Sequence, residues 1–347
     1  MRLERRDDVP LGLIATAPIA AIVAALILAA GLIAAAGVNP GVAYGEMLRG
    51  ALGSRLAVTE MLTRATPLIL TGLAAATAFR ARLWNIGGEG QFYLGALVTA
   101  WIGHNLGLPG PVGIAVLLIV GMAAGATLLA GPTALRLRFG IDEVVTTLLL
   151  NFIVILFVGM MIEGPLRDPL AFGWPQSVPV DGDFRLPDLV PRTRLHFGLI
   201  LAIAAAGLTW LILARSVFGM ETRAAGLNPD AAQFAGIPLP RTLMGVACLS
   251  GALAGLAGSV EVLGVTGGVT TTMSPGFGYA GIVVAMLAGL HPMGVVAAAV
   301  FVATVFVGAD AMSRATGTPS FIADVIVALS LLTMLVALLF TTYRLRK

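Results

Sequence analysis

Lysine, cysteine and histidine are almost missing from this chain, and each shortage excludes a kind of chemistry. The one lysine, Lys347, is the last residue, so no G-x-x-x-x-G-K loop exists to grip a nucleotide phosphate. ATP cannot be bound here in that way. The one cysteine, Cys248, rules out an internal disulfide and any cysteine metal site. His104, His196 and His291 lie far apart, without the i, i+4 spacing that zinc hydrolases use, so no metal centre is expected. Charge is scarce as well: 11% of residues carry it, where a soluble domain has about 25%.

What is abundant is apolar. Hydrophobic residues make up 58% of the 347 and the mean hydropathy is +0.96, against about 45–50% apolar residues in soluble domains. This is the composition of an all-α integral membrane protein, read as a single transmembrane domain over residues 1–347. The 43 glycines are spread through the apolar runs, which suits closely packed membrane helices better than disorder. The net charge of +3 comes almost wholly from arginine, and in such a chain it reads as topology rather than as nucleic-acid binding.

Crossing about 30 Å of hydrocarbon takes roughly 20 residues. On that measure spans are expected near 11–36, 61–79, 86–104, 112–131, 143–162, 197–214, 242–263, 277–290, 294–311 and 321–341, about ten in all. The run at 277–290 is short and reads as broken or re-entrant. With the N-terminus inside, 13 basic residues fall in cytoplasmic segments and 7 outside, while Arg64 lies within the second span. That bias places both termini in the cytoplasm. The basic start Met1–Arg6 resembles a signal peptide, but the apolar run after it exceeds the about 7–15 residues of a signal core, so an anchor is expected. Residues 163–195 are expected to form an external, periplasmic loop rich in Pro, Asp and Arg that is solvated, caps the outer face or meets a partner.

Ionisable groups inside a membrane cost about 2.5–3.5 kcal/mol on insertion scales. Arg64, Glu89, Glu261 and Asp324 are the exceptions here, with Asp310 near a span end. Arg64 can snorkel or pair with Glu60 one turn back. Asn85–Gln91 (N-I-G-G-E-G-Q) holds three glycines among polar side chains between two apolar spans. Such backbone resists helix, and at membrane depth it survives only in protein or beside a watery cavity. Either a broken helix near a transport site or a turn with Asn85 as N-cap accounts for it. Gly90–Gly95 and Gly276–Gly281 share G-x-x-Y-x-G. Their spans run in opposite directions, which is the mark of an inverted repeat with halves at 61–162 and 242–341. Asn151 lies mid-span as a helix-to-helix hydrogen-bonding group, and Gly121-x-x-x-Gly125 and Gly251-x-x-x-Gly255 read as packing faces.

The cytoplasmic loop 215–241 is ordered in its pattern. A short helix over Gly219–Gly226 is expected, then a second with Asn228 as N-cap, Pro229 at its first position and Asp230 beside the positive helix end. Ala231, Ala232, Gln233 and Phe234 continue it and Gly236 stops it. Small residues beside one apolar knob, Phe234, suit insertion into a partner's groove.

Three motifs carry a family resemblance. Arg223–Ile237 (R-A-A-G-L-N-P-D-A-A-Q-F-A-G-I) resembles the coupling motif of ABC importer permeases of the branched-chain amino acid, ribose and nucleoside class. Asn85–Gln91 resembles the N-I-G-A-E-G-Q of its simple-sugar and nucleoside branch, with Gly88 in place of Ala. Glu143–Asn151 (E-V-V-T-T-L-L-L-N) is similar to that class's span-five pattern, with Asp142 where Asn is frequent. The resemblance implies a permease in a bacterial inner membrane, paired with a second permease as a heterodimer. It also implies a cytoplasmic ATPase subunit that carries the Mg-ATP and an extracytoplasmic substrate-binding lipoprotein. Arg223, Gly226, Asn228, Pro229, Asp230, Ala231, Ala232, Phe234 and Gly236 would then couple to the ATPase. Asn85, Glu89, Gln91, Tyr93, Asn151, Phe277 and Tyr279 are the candidates for the translocation path of a nucleoside or simple sugar, and no cofactor is expected in this chain. The rival reading is an ion-coupled secondary transporter using Glu89 or Asp324.

Overall fold

The computed structural model describes residues 2–5, 11–317, 319 and 321–346. Nearly all of it is helical: α1 (Leu11–Ala35), α2 (Pro40–Leu52), α3 (Arg55–Arg80), α4 (Gly88–Gly103), α5 (Gly110–Phe139), α6 (Glu143–Glu163) and α7 (Gly198–Arg215). After these come α8 (Val217–Leu227), α9 (Pro229–Phe234), α10 (Leu239–Glu261), α11 (Phe277–Leu287), α12 (Pro292–Thr316) and α13 (Ile322–Thr342). Two short strands, absent from the all-α expectation, join the chain ends. β1 (Arg2–Arg5) pairs antiparallel with β2 (Tyr343–Arg346), Leu3 opposite Leu345. The two ends of the chain therefore lie together on one face of the bundle.

Among the described residues, six helices are long and apolar enough to cross a membrane: α3, α5, α6, α7, α10 with its continuation to Thr266, and α12. A bent pair, residues 19–35 with α2, adds a seventh candidate, the two axes meeting at 116°. α2 was not foreseen. Its start is nonetheless written in the sequence, because the Asn39 side chain accepts from the Gly41 N–H at 2.8 Å and Pro40 takes the first helical position. Ala43, Met47 and Ala51 form its buried stripe. A β-carbon on Gly50 would lie 2.0 Å from that of Ala311, so α2 and α12 meet without room for a side chain.

Burial separates centre from rim. The most apolar stretch of α3 is 89% buried within the chain, and those of α10 and α12 are 67% and 56%. For α5, α6 and α7 the figures are only 33%, 28% and 28%, so these helices turn most of their apolar surface outward. The two small-residue faces found in the sequence pack on each other. Added β-carbons on Gly125 and Gly251 would each fall within 2.3 Å of the other glycine's carbonyl oxygen, and Gly255 meets Gly121 in the same way. That approach lets α5 lie directly against α10, the close backbone packing small residues permit.

α4, with 16 residues, and α11, with 11, are too short to span, since about 20 residues are needed. Each is preceded by irregular chain. α10 itself ends in a π-helical turn, Val262–Thr266, stopped by Gly267 at φ +73°. From there residues 267–276 run back into the bundle to the start of α11. The loop 163–195 covers this stretch: Ser177 N–H donates to the Val269 carbonyl at 2.9 Å, and Val180 N–H to the Gly267 carbonyl at 2.8 Å. The loop thus packs on its own chain through backbone hydrogen bonds.

Candidate functional site: a joint between two helix starts and a charged cleft beside it

Glu143, Thr147 and Asn151 sit at i, i+4 and i+8 on one face of α6, and all three are buried. Together they template the irregular entry to α4. The Glu143 carboxylate accepts from Trp84 N–H at 3.1 Å, and the Thr147 hydroxyl from Ile86 N–H at 3.3 Å. Asn151 accepts from Gly90 N–H and donates to the Ile86 carbonyl, both at 2.8 Å. Backbone groups that α4 cannot satisfy at its start are thus satisfied by side chains, as buried polar groups require. Arg136 closes the clamp, donating to Glu143 at 2.5 Å and to the Arg82 carbonyl at 3.0 Å. The second and third sequence motifs are therefore two halves of one contact.

Asn85 is not the N-cap of α4. Gly87 holds that position, while the Asn85 side chain accepts from Gly87 N–H at 2.9 Å and exchanges two hydrogen bonds with Gln91 at 3.0 and 2.8 Å. Gly88–Gln91 is helical, so the break is confined to the residues before Gly88. Charge at the helix start and neighbours on α6 outweigh the low helix propensity of its glycines.

The start of α11 meets this joint head on. An added β-carbon on Gly278 would fall 2.1 Å from Glu89 N, so only glycine admits the approach. Glu89 accepts from Gly278 N–H at 2.6 Å, and the Ser274 hydroxyl accepts from Phe277 N–H at 2.8 Å. These bonds cap a helix whose preceding turn, Gly276 at φ +88°, also demands glycine. Thr71 of α3 donates to the Phe277 carbonyl at 2.9 Å, Tyr93 to the Thr271 carbonyl at 2.8 Å, and Asn151 to the Tyr279 hydroxyl at 3.2 Å. The G-x-x-Y-x-G echo thus falls on two helix starts that touch.

The proposed path residues divide into two groups. Asn85, Glu89, Gln91, Tyr93 and Asn151 are each 3% exposed or less and lie inside the joint. Phe277, itself buried, and Tyr279 each border a cavity. Phe277 lines a cavity of about 450 Å³ walled by α3, α10, α12 and α13. Tyr279, 38% exposed, lines a second, more apolar space of about 460 Å³ between α11 and α13. The two spaces share Pro275, Phe306 and Asp324 and form one cleft. Sequence reading treated Arg64, Glu261, Asp310 and Asp324 singly; the fold gathers all four at the first space, with Glu60 and Arg194. Arg64 pairs with Asp310 at 2.8 Å and with Glu60 at 3.7 Å, the latter as the one-turn spacing suggested. No linear signal announces these partners, since 246 positions separate Asp310 from Arg64 and 134 separate Arg194 from Glu60.

At the opposite, arginine-rich end, α8 and α9 follow the sequence expectation closely. The Asn228 side chain accepts from Ala231 N–H at 3.1 Å, Pro229 is first in α9, and Gly236 has φ +84°. Asp230, Ala231 and Phe234 are exposed, Phe234 at 96%, while Ala232 is buried. Gly226 packs on the Arg80 carbonyl so tightly that no side chain would fit. Arg223 is exposed, yet its guanidinium donates to the Leu213 carbonyl at the end of α7, binding α8 to its own chain.

Just before α7, His196 packs on the backbone of Gly264 and accepts from Gly198 N–H at 3.1 Å through Nδ1, while Nε2 has no partner among the described residues. Burial, aided by Arg185 and Arg194 and opposed by Asp188, pushes its pKa down to about 4.

Apolar helices packed through glycine, two short helices meeting start to start, and an exposed capped helix at one end define a multi-pass membrane permease. Residues 57–342 match the family of branched-chain amino acid transport system permease components, and the chain belongs to that family. It is 33% identical to a glucose ABC transporter permease protein of Haloferax volcanii, over 99% of this chain and 93% of that one. It is 34% identical to a guanosine ABC transporter permease protein of Bacillus subtilis, covering 91% of both chains. A nucleoside ABC transporter permease protein of Lactococcus lactis is also 34% identical, over 90% of this chain and 88% of that one. No solved structure matches the chain.

Proposed function

We propose that this chain is one permease half of an ATP-driven importer carrying a nucleoside or simple sugar across a bacterial inner membrane. The observation that supports it most is full-length similarity to permeases named for guanosine, nucleosides and glucose. In this reading ten segments cross: α1, α3, α4 with its irregular entry, α5, α6, α7, α10, the 267–276 segment with α11, α12 and α13. An even number agrees with paired chain ends, and the arginine bias puts those ends in the cytoplasm. The halves at 61–162 and 242–341 are inverted repeats whose broken helices, α4 and α11, meet near the midplane.

The α8–α9 pair docks into a separate ATPase subunit, which holds Mg-ATP, with Phe234 as the inserted knob. A different second permease completes the path, and an extracytoplasmic lipoprotein delivers the solute. Phe277 and Tyr279 face the route. Asn85, Glu89, Gln91, Tyr93 and Asn151 act from behind, holding the start of α11 in place. Closure of the ATPase pair tilts the permeases about this joint, and α11 moves as one piece with it.

Uptake of labelled guanosine and glucose into proteoliposomes holding the assembled transporter tests this. Uptake that needs ATP and the ATPase subunit and ignores uncouplers is expected. Uptake without the ATPase, abolished by an uncoupler, sinks the proposal in favour of an ion-coupled transporter.

A further inference from the structure

Among the described residues, the charged cavity contains one buried carboxylate that its own chain leaves unserved. Glu261, at the end of α10, is 7% exposed and lines the space. Around it Arg64 is matched with Asp310 and Glu60, and Arg194 with Glu60 at 3.5 Å, while Asp324 on the same wall is exposed and has no ion pair among the described residues. Among the described residues no hydrogen-bond donor and no ion-pair partner reaches the Glu261 carboxylate, although Arg64 and Arg194 act on it from a distance. A carboxylate is an acceptor only, with two oxygens side by side, and burying it without donors is unfavourable.

We infer that Glu261 is a recognition residue for the vicinal diol of a neutral solute held in this cavity, its two oxygens accepting from two adjacent hydroxyls. The inference rests on the importer reading and names the part of the solute that this chain reads. Three observations select that chemistry. Four carboxylates face two guanidinium groups, which disfavours an anion. No cluster among the described residues could hold a metal ion. Phe277, Phe306 and Pro275 form an apolar wall of the same space, a surface for the C–H face of a sugar ring, while Arg64 and Arg194 supply donors for its ring and hydroxyl oxygens. The volume of about 450 Å³ sits within the roughly 300–1,000 Å³ usual for small-molecule sites. The solute then leaves through the apolar half of the cleft beside Tyr279, where it meets fewer polar groups to hold it.

The test uses the assembled transporter in proteoliposomes and two substrate pairs that differ by one hydroxyl of a diol: guanosine with 2′-deoxyguanosine, and glucose with 2-deoxyglucose. Wild-type protein is expected to show the lower KM for the diol member of the pair it transports. Glu261→Gln is expected to raise that KM about tenfold, the usual loss for a hydrogen bond to a charged group, while moving the deoxy member's KM less than about twofold. Glu261→Asp, which keeps the carboxylate, retains the preference with a raised KM, and this separates recognition from misfolding. Equal losses for both members, in both variants, assign Glu261 a structural or cation-binding role and overturn the inference. Unchanged KM values in Glu261→Gln overturn it as well, leaving the importer reading intact. A wild-type transporter that moves neither pair overturns the substrate class and this ligand together.

Discussion

Single side chains decide the geometry of the joint, and Glu89 is the most exposed to test. Its carboxylate caps α11 across 189 positions of sequence by accepting from Gly278 N–H. Glu89→Ala removes that cap, for which a loss of about 0.5–2 kcal/mol is expected. Glu89→Gln keeps an acceptor and should lose less. Transport should fall further than assembly in Glu89→Ala, read as uptake per purified complex; uptake equal to wild type would leave this cap without a part in transport. His196 carries the pH dependence. Its folded pKa of about 4 lies below the ordinary 6.5, so the unfolded chain binds more protons between these values. The stability it contributes is complete above about pH 6.5 and falls as pH drops toward 4. His196→Asn, which takes no proton, should flatten the fall in unfolding temperature between pH 7.5 and 5. An unchanged pH profile assigns the acid sensitivity to other groups.

Helices carry the next level. α9 stands out as a six-residue helix whose largest side chain, Phe234, has almost no cover, while the glycine contact at Gly226 ties α8 to the end of α3. A partner docked on α8, as in the proposed assembly, would therefore act on α3, and through Thr71 on α11. Phe234→Asp should weaken ATPase association at least about tenfold, as loss of a buried aromatic anchor does, while membrane insertion stays normal. Co-purification of the ATPase at the wild-type ratio would falsify this role for α9. These two helices were legible in the sequence because Asn–Pro starts and glycine stops act locally. α2 escaped notice for a related reason: its short length hid a start signal of the same kind.

At the scale of the whole molecule, the proposed ten crossings put the loop 163–195 and α9 on opposite sides, which labelling can read. Phe172 and Gln233 are both exposed, one on the external loop and one on α9. In a Cys248→Ser background, cysteines placed at these two positions should react with an impermeant maleimide from opposite faces of sealed vesicles. Labelling from the same face rules out ten crossings. Ser177, although on the same loop, is 2% exposed and would report nothing.

Composition alone determined that the chain lives in a membrane and cannot bind ATP through a phosphate loop, because both follow from which residues are present. Spans, helix caps and packing faces were also legible, since hydropathy, Asn–Pro starts and Gly-x-x-x-Gly spacing act within a few turns. Asn151 was read as a helix-to-helix bonding group and is one. What only the tertiary structure decided is which distant polar groups share a space. Arg64 within its span, and Glu261, Asp310 and Asp324 near span ends, read as separate charges, and the fold gathers them around one cavity. Glu143, Thr147 and Asn151 become a template only once α6 lies against the entry to α4. Local patterns specify helices because hydrogen bonds within a helix reach four residues. Sites between helices depend on packing across hundreds, which no short pattern encodes.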